Sequence, residues 1–357
     1  MEAFAPLAAA EIALGLILVL VVLNDVFNTV ILPRPSPARY RPAGLLTRYS
    51  WRLWRAYADR AASAERRERR LGIFAPAVVM TLLGLWIAML ILGFGLVFHV
   101  LGRQLEPGPA DLGGALYFAA VSLLTIGYGD VVAIGGPARV VAIAAAVAGL
   151  GIVALTITYL FSLYASFRRR ELLVVTLDAR AGAPPSGVVL LETCARYHDA
   201  GELRRVFADW ERWSAAVLES HLAYPILLFF RSTHDHESWV SAIGAVLDAS
   251  TLVLTTIESG PSGAAWVMHG IGVHLVEDVA RFFRDATPGT PGVERAEFDD
   301  ARRRLASAGY TLTPDADASW EAFVRRRSAY SARLNTLAGF LAVPPAQWIG
   351  DRSEIRH

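Results

Sequence analysis

The chain reads as an all-α membrane protein with an all-α soluble C-terminal part. Three observations predict this. Three apolar runs are long enough to cross a bilayer, which takes about 20 residues. A fourth apolar run between two of them is too short to cross. The last half of the chain carries mostly helical periodicity. Composition agrees: 54% of the 357 residues are hydrophobic and only 19% are charged, whereas soluble domains run near 25% charged. A net charge of +1 implies no general attraction to nucleic acid. Cys194 is the single cysteine, so an intrachain disulfide is excluded, and the residue reads as a small buried hydrophobe. Every basic residue counted with lysine and arginine is an arginine.

The spans fall at residues 12–32, 74–101 and 140–164. The first is too long for a signal-peptide core and has Glu2 and Glu11 where such a peptide carries basic residues. It stops at Pro33-Arg34-Pro35, a helix-ending sequence, and is expected to be a true span. Arginines crowd residues 34–70 and recur as Arg168-Arg169-Arg170, while residues 102–136 are poor in them. By the positive-inside rule, the N-terminus is expected outside, and the 34–73 segment and everything after the third span inside. Within that segment LLTRYSWRLWRAYADRAA, residues 45–62, mixes Trp51, Trp54 and Tyr57 with arginines. It reads either as an amphipathic helix on the inner membrane surface or as a solvated connector. No span carries regularly spaced arginines, so a voltage sensor is not expected.

The short apolar run, residues 112–124, makes a helix of about 20 Å. It must enter the membrane and return, and irregular backbone at membrane depth survives only where protein buries it or where it lines a wet cavity. The residues that follow are Thr125-Ile126-Gly127-Tyr128-Gly129-Asp130. Gly127 and Gly129 can take backbone angles closed to other residues. Alternating them with ordinary residues turns successive carbonyls to one side, where a file of oxygens can replace the water shell of a cation. The C-terminal end of the short helix, the negative end of its dipole, favours the same charge.

With these six residues and the flanking spans, the sequence resembles the potassium channel family, in its module of outer helix, pore helix, filter and inner helix. The resemblance covers residues 74–170 and departs from the commonest filter only in isoleucine for valine. It implies K+ sites made by the carbonyls of Thr125, Ile126, Gly127 and Tyr128, with Gly129 completing the filter and the Thr125 hydroxyl closing the inner site. It further implies that Tyr128 packs into a cuff of pore helices, that Asp130 sits just outside, and that Tyr117 bonds Asp130. Tyr117 and Phe118 stand where the family often has two tryptophans. Val121 stands where some members carry a glutamate, and Leu124 where a second threonine is common. One filter per chain implies a homotetramer.

Several features lie outside the filter. Gly149 matches a family hinge glycine, and close helix packing by small residues explains it equally. Ile157 and Phe161 share a face at i, i+4 and are candidates for a constriction, or for plain packing. Asp25, in the extra span of residues 1–33, reads as a gating contact or as a paired carboxylate tying helices together. A linker is expected over residues 171–187, with ELLVVTLDAR (171–180) a short strand or a frayed helix end, followed by a helical regulatory or assembly domain over 188–357. Helices are expected there at 188–198, 201–221, 237–259, 264–284, 293–307 and 319–341. His234, His236 and Glu237 form one candidate divalent-metal cluster and His274 with Glu277 and Asp278 another. The plainer readings are a helix cap at Ser232, Thr233 or Asp235 and a solvated helical pair. No nucleotide-binding loop or catalytic triad is present, so neither an enzyme nor an organic cofactor is expected.

The function this predicts is passive, potassium-selective, non-voltage-gated conduction across the cell membrane, with membrane lipid and other copies of the chain as partners. The alternatives are a non-conducting sensor on a pore-like scaffold and a weakly selective cation channel.

Overall fold

The computed structural model describes residues 4–32, 42–109, 111–196, 200–232, 238–283, 293–344 and 346–349. The chain forms two compact units, residues 1–164 and 165–357.

The first unit is built on a long antiparallel helix pair. α1 (Phe4–Val26) ends in a wider turn over Phe27–Ile31. α3 (Ala64–Val100) starts at Ser63, whose hydroxyl caps the Arg66 amide, and runs through the arginines of its first turns into the second apolar run. Small residues set the crossing. A Cβ on Gly15 would lie 2.5 Å from the Gly93 carbonyl, and one on Gly93 would lie 2.9 Å from that of Gly15. Around this contact Val19, Val22, Val26, Leu82, Trp86, Leu90, Phe94 and Phe98 are buried together. Lipid tails are as apolar as these side chains, so close packing rather than release of water holds the pair.

α2 (Pro42–Ala58) connects the two. Trp51 packs edge-on against Phe74 at 4.8 Å, the Trp54 indole donates to the Arg70 carbonyl at 2.8 Å, and Arg70 donates to the Tyr57 carbonyl at 3.0 Å. Partners in α3 do not advance as α2 advances, and the Ala43 amide shares Asp25 with Trp86, higher in α3. α2 therefore runs back along the base of α3. The helix of the amphipathic reading is thus present, half-buried against α3, and it is the solvated-connector reading that is corrected. Two tryptophans on one face found a hydrophobic partner inside the chain.

α4 (Leu112–Leu123) packs on α3 through Phe118 and Phe98, 4.8 Å apart. Two-residue strands β1 (Leu105–Glu106) and β2 (Val132–Ala133) pair antiparallel around the α4 segment, an addition to the expected all-helical pattern. Gln104 closes the same neck, its carbonyl accepting from Ile134 and its side chain from Ala138. α5 (Gly136–Ala181) follows and runs on as helix to residue 181.

In the second unit the end of α5 joins α6 (Gly187–Arg196), α7 (Ala200–Ala223), α8 (Trp239–Thr255), α9 (Ser262–Ala280), α10 (Arg295–Ser307), α11 (Ala316–Arg327) and α12 (Ser331–Leu341). α8 is the core: residues 239–253 are buried on every side.

Three expectations need correction here. Residues 171–180 are neither strand nor linker. Arg170, Val174, Leu177 and Ala181 form a buried stripe at helical spacing, and that packing outweighs the β preference of the valines. The helix expected over 319–341 is two, broken at 328–330, because the turn lets both Arg327 and Tyr330 reach Asp248 at 2.8 and 2.6 Å. The cap of α8 is Ser238, which accepts from Val240, rather than a residue upstream.

Arg170 is buried and satisfied in several directions. Its guanidinium meets Glu171 at 2.9 Å, the Leu227 and Phe230 carbonyls at 2.8 and 2.7 Å, and His221 Nε2 at 3.2 Å. The Trp213 indole donates to the Arg170 carbonyl.

Candidate functional site

The 125–130 segment is held by what comes before it. Asp111 caps α4 by accepting from the Gly114 amide at 2.9 Å. The helix has 12 residues, about 18 Å of rise, and stops short of a full crossing. At its end Thr125 N donates to Ser122 and Ile126 N to Val121, so the chain leaves the helix in a tight turn.

Beyond that turn the backbone alternates. Thr125, Gly127 and Gly129 have φ of 53°, 66° and 77°, and neither Ile126 nor Tyr128 has positive φ. A Cβ on Gly127 or Gly129 would meet nothing within 4 Å, so backbone angle alone explains both glycines. Thr125 is the surprise. A β-branched residue in the left-handed region is strained, and such strain gathers at functional segments. Nothing in a threonine side chain announces this, so the sequence signalled two of the three positions.

The Tyr117 hydroxyl donates to Asp130 Oδ2 at 2.7 Å, joining α4 to the far end of the segment. Phe118 and Val121 are buried. Tyr128 is 72% exposed, and none of the described residues forms a cuff around it.

Gly149 lies beneath α4. A Cβ there would sit 1.7 Å from the Leu123 carbonyl, whereas one on Gly151 would meet nothing. Within the chain Gly149 is thus a packing glycine. Ile157 and Phe161 are exposed, Phe161 by 75%. They continue a stripe through Val140, Ile143, Val147 and Leu150, each at least 65% exposed.

Asp25 is buried, and one of its carboxylate oxygens accepts from the Trp86 indole at 2.9 Å and from the Ala43 amide at 3.0 Å. It joins three helices, as the tying role requires. Trp86 was not singled out in the sequence, although an indole N–H in an apolar run needs an acceptor.

His234, His236 and Glu237 lie outside the described residues. His274 meets Asp278 at 3.3 Å, but Asp278 also pairs with Arg281 at 3.0 Å and Glu277 with Arg333 at 2.8 Å. Among the described residues no three His, Cys, Asp or Glu side chains converge for a metal ion. The helical-pair reading describes His274 and Asp278.

Residues 86–166 match the family model described as an ion channel. The range holds the C-terminal part of α3 from Trp86 on, all of α4, the 125–130 segment and the apolar part of α5. A stretch of 186 residues is 24% identical to an uncharacterized membrane protein, YdjJ, of Bacillus subtilis, covering 51% of this chain and 54% of that protein. Ninety residues are 33% identical to the delayed-rectifier potassium channel regulatory subunit KCNS2 of human and mouse, covering 25% of this chain and 19% of that subunit. The chain thus spans about half the length of YdjJ and a fifth of KCNS2. No solved structure matches. With three helices long and apolar enough to cross a bilayer, this is an all-α membrane protein. The family matched is one of ion channels, not of enzymes.

Proposed function

We propose that the protein is a homotetrameric, potassium-selective channel that conducts K+ passively, with gating coupled to its C-terminal helical unit. The observation that carries this is the alternating left-handed backbone at Thr125, Gly127 and Gly129, at the end of a half-length apolar helix. Alternation is what turns consecutive carbonyls toward one axis, and carbonyls in file substitute for the hydration shell of K+. The carbonyls of Thr125 to Tyr128 are the ion ligands in this reading, and the Tyr117–Asp130 bond steadies the outer end. Four copies around an axis supply what one chain lacks: a cuff for Tyr128 and a partner for the exposed stripe on α5. By the positive-inside rule, the arginines of residues 34–70 support a reading with the second unit on the cytoplasmic side of the cell membrane and the N-terminus outside.

The test is ion flux from proteoliposomes loaded with potassium or with sodium, beside a Gly127→Asp variant. Potassium efflux well above sodium efflux, abolished by the variant, supports the reading. Comparable flux of both ions makes the pore a weakly selective cation channel. No flux from a folded tetramer across a range of pH and divalent-ion concentration makes the protein a non-conducting sensor built on a pore-like scaffold.

A further inference from the structure

Past its bilayer-length run, α5 carries apolar residues on two opposite faces. On one, Arg170, Val174, Leu177 and Ala181 are buried. Half a turn round the helix, Ala165, Arg168, Leu172, Val175 and Ala179 are exposed, Leu172 by 69%. The steps between these five are three, four, three and four residues. That is the 3.5-residue spacing of a coiled-coil seam. Phe161 and Ile157, also exposed, precede Ala165 at four-residue steps, and α5 is one helix over this whole stretch. The exposed stripe that starts at Val140 thus continues beyond the apolar run. Lipid does not cover the continuation, because six of the 17 residues from 165 to 181 are charged. A leucine and a valine exposed together on a charged helix mark a contact with protein.

We propose that Leu172, Val175 and Ala179 form a parallel seam between copies of this chain, α5 of each meeting α5 of its neighbours. Continuity with the stripe that the proposed tetramer covers selects this partner over any other. Copies inserted the same way in one membrane present their helices in parallel, and a 3.5-residue seam is complementary to itself in that arrangement. Arg168 is the one polar member of the seam, and a single polar residue there fixes register and strand number at a cost in stability. Its long stem lies along the apolar stripe while the guanidinium reaches water. Three apolar residues are too few to hold separate chains together. The pore module does that, so the seam closes at the high effective concentration of linked sites. The proposal rests on the tetramer of the channel reading and adds to it an interface outside the hydrocarbon.

The experiment is oxidative cross-linking of the full-length protein in membranes, in a Cys194→Ala background where each introduced cysteine is the only one. Leu172→Cys and Val175→Cys are each expected to give disulfide-linked dimers from most chains. Val267→Cys, exposed on α9, is the collision control and is expected to give about fivefold less. Val175→Arg placed beside Leu172→Cys is expected to lower the cross-linked fraction about fivefold too, because it sets like charges against one another in the seam. Should one cysteine variant fail to fold, the other carries the test. Native mass spectrometry of the same samples separates two failures. A tetramer that cross-links at 172 and 175 no better than at 267, or whose cross-link survives Val175→Arg, overturns the seam and leaves the channel reading standing. A monomer overturns both.

Discussion

At Asp25 two donors from different helices converge on one buried carboxylate oxygen. Removing the acceptor strands a buried indole N–H and a helix-terminal amide, and a buried donor without a partner costs about 1–3 kcal/mol. Asp25→Ala should therefore lower the thermal unfolding midpoint of the purified protein clearly. Asp25→Asn keeps an oxygen acceptor and should lower it less. Equal losses would mean that charge at the start of α2 matters more than the hydrogen bonds. Asp25 and the run from Thr125 to Gly129 show how unevenly such detail can be read from sequence. An intramembrane aspartate signals a partner, and its identity as Trp86 follows only from how α1 lies on α3. The glycines at 127 and 129 declare their backbone angles, and Thr125 does not.

Between elements, the crossing of α4 and α5 is decided at Gly149. A methyl group there has to displace the Leu123 carbonyl, and therefore the end of α4 from which the 125–130 segment departs. Overpacking of this kind costs about 1–3 kcal/mol. Gly149→Ala is expected to destabilise the protein and to reduce ion flux, whereas Gly151→Ala, with open space around it, should be tolerated. Both variants belong in one flux and thermal-unfolding series. If Gly149→Ala retained stability but locked the gate, the hinge role would be restored. Sequence left hinge and packing open at Gly149, since a glycine in a helix does not say which neighbour comes close. The break between α11 and α12 was illegible for a similar reason. No glycine or proline marks residues 328–330, and the turn exists because Arg327 and Tyr330 share Asp248.

On the scale of the whole molecule, the helical unit carries a pH dependence. Burial, helped by the Arg170 charge, pushes the His221 pKa down to about 3, although its ring also bonds the Val217 carbonyl. Burial likewise brings His269 to about 4, with the Arg326 charge adding to it. Both rings are neutral in the fold, while in the unfolded chain they take up a proton near 6.5. The unfolded state thus binds more protons below that value. Stability is complete above pH 6.5 and falls as pH drops through 6.5 toward 4 and 3, by up to about 1.4 kcal/mol per pH unit for each ring. Thermal midpoints of the full-length protein at pH 7.5, 6.5 and 5.5 should decline across the series. His221→Gln should flatten that decline, and an unchanged slope in the variant would remove His221 from the account.

Length, hydropathy and the run from Thr125 to Asp130 by themselves determined the all-α membrane architecture, the three spans, the half-length α4 and the segment resembling a filter. These depend on local chemistry: about 20 apolar residues cross a bilayer, 12 do not, and glycine permits positive φ. Only the tertiary structure decided that α2 turns back along α3, that residues 171–180 are helical, that Gly149 yields to the Leu123 carbonyl and that Asp25 meets Trp86. Each of these is settled by residues far apart in the chain, and periodicity along a sequence records which face is apolar but not what that face will touch.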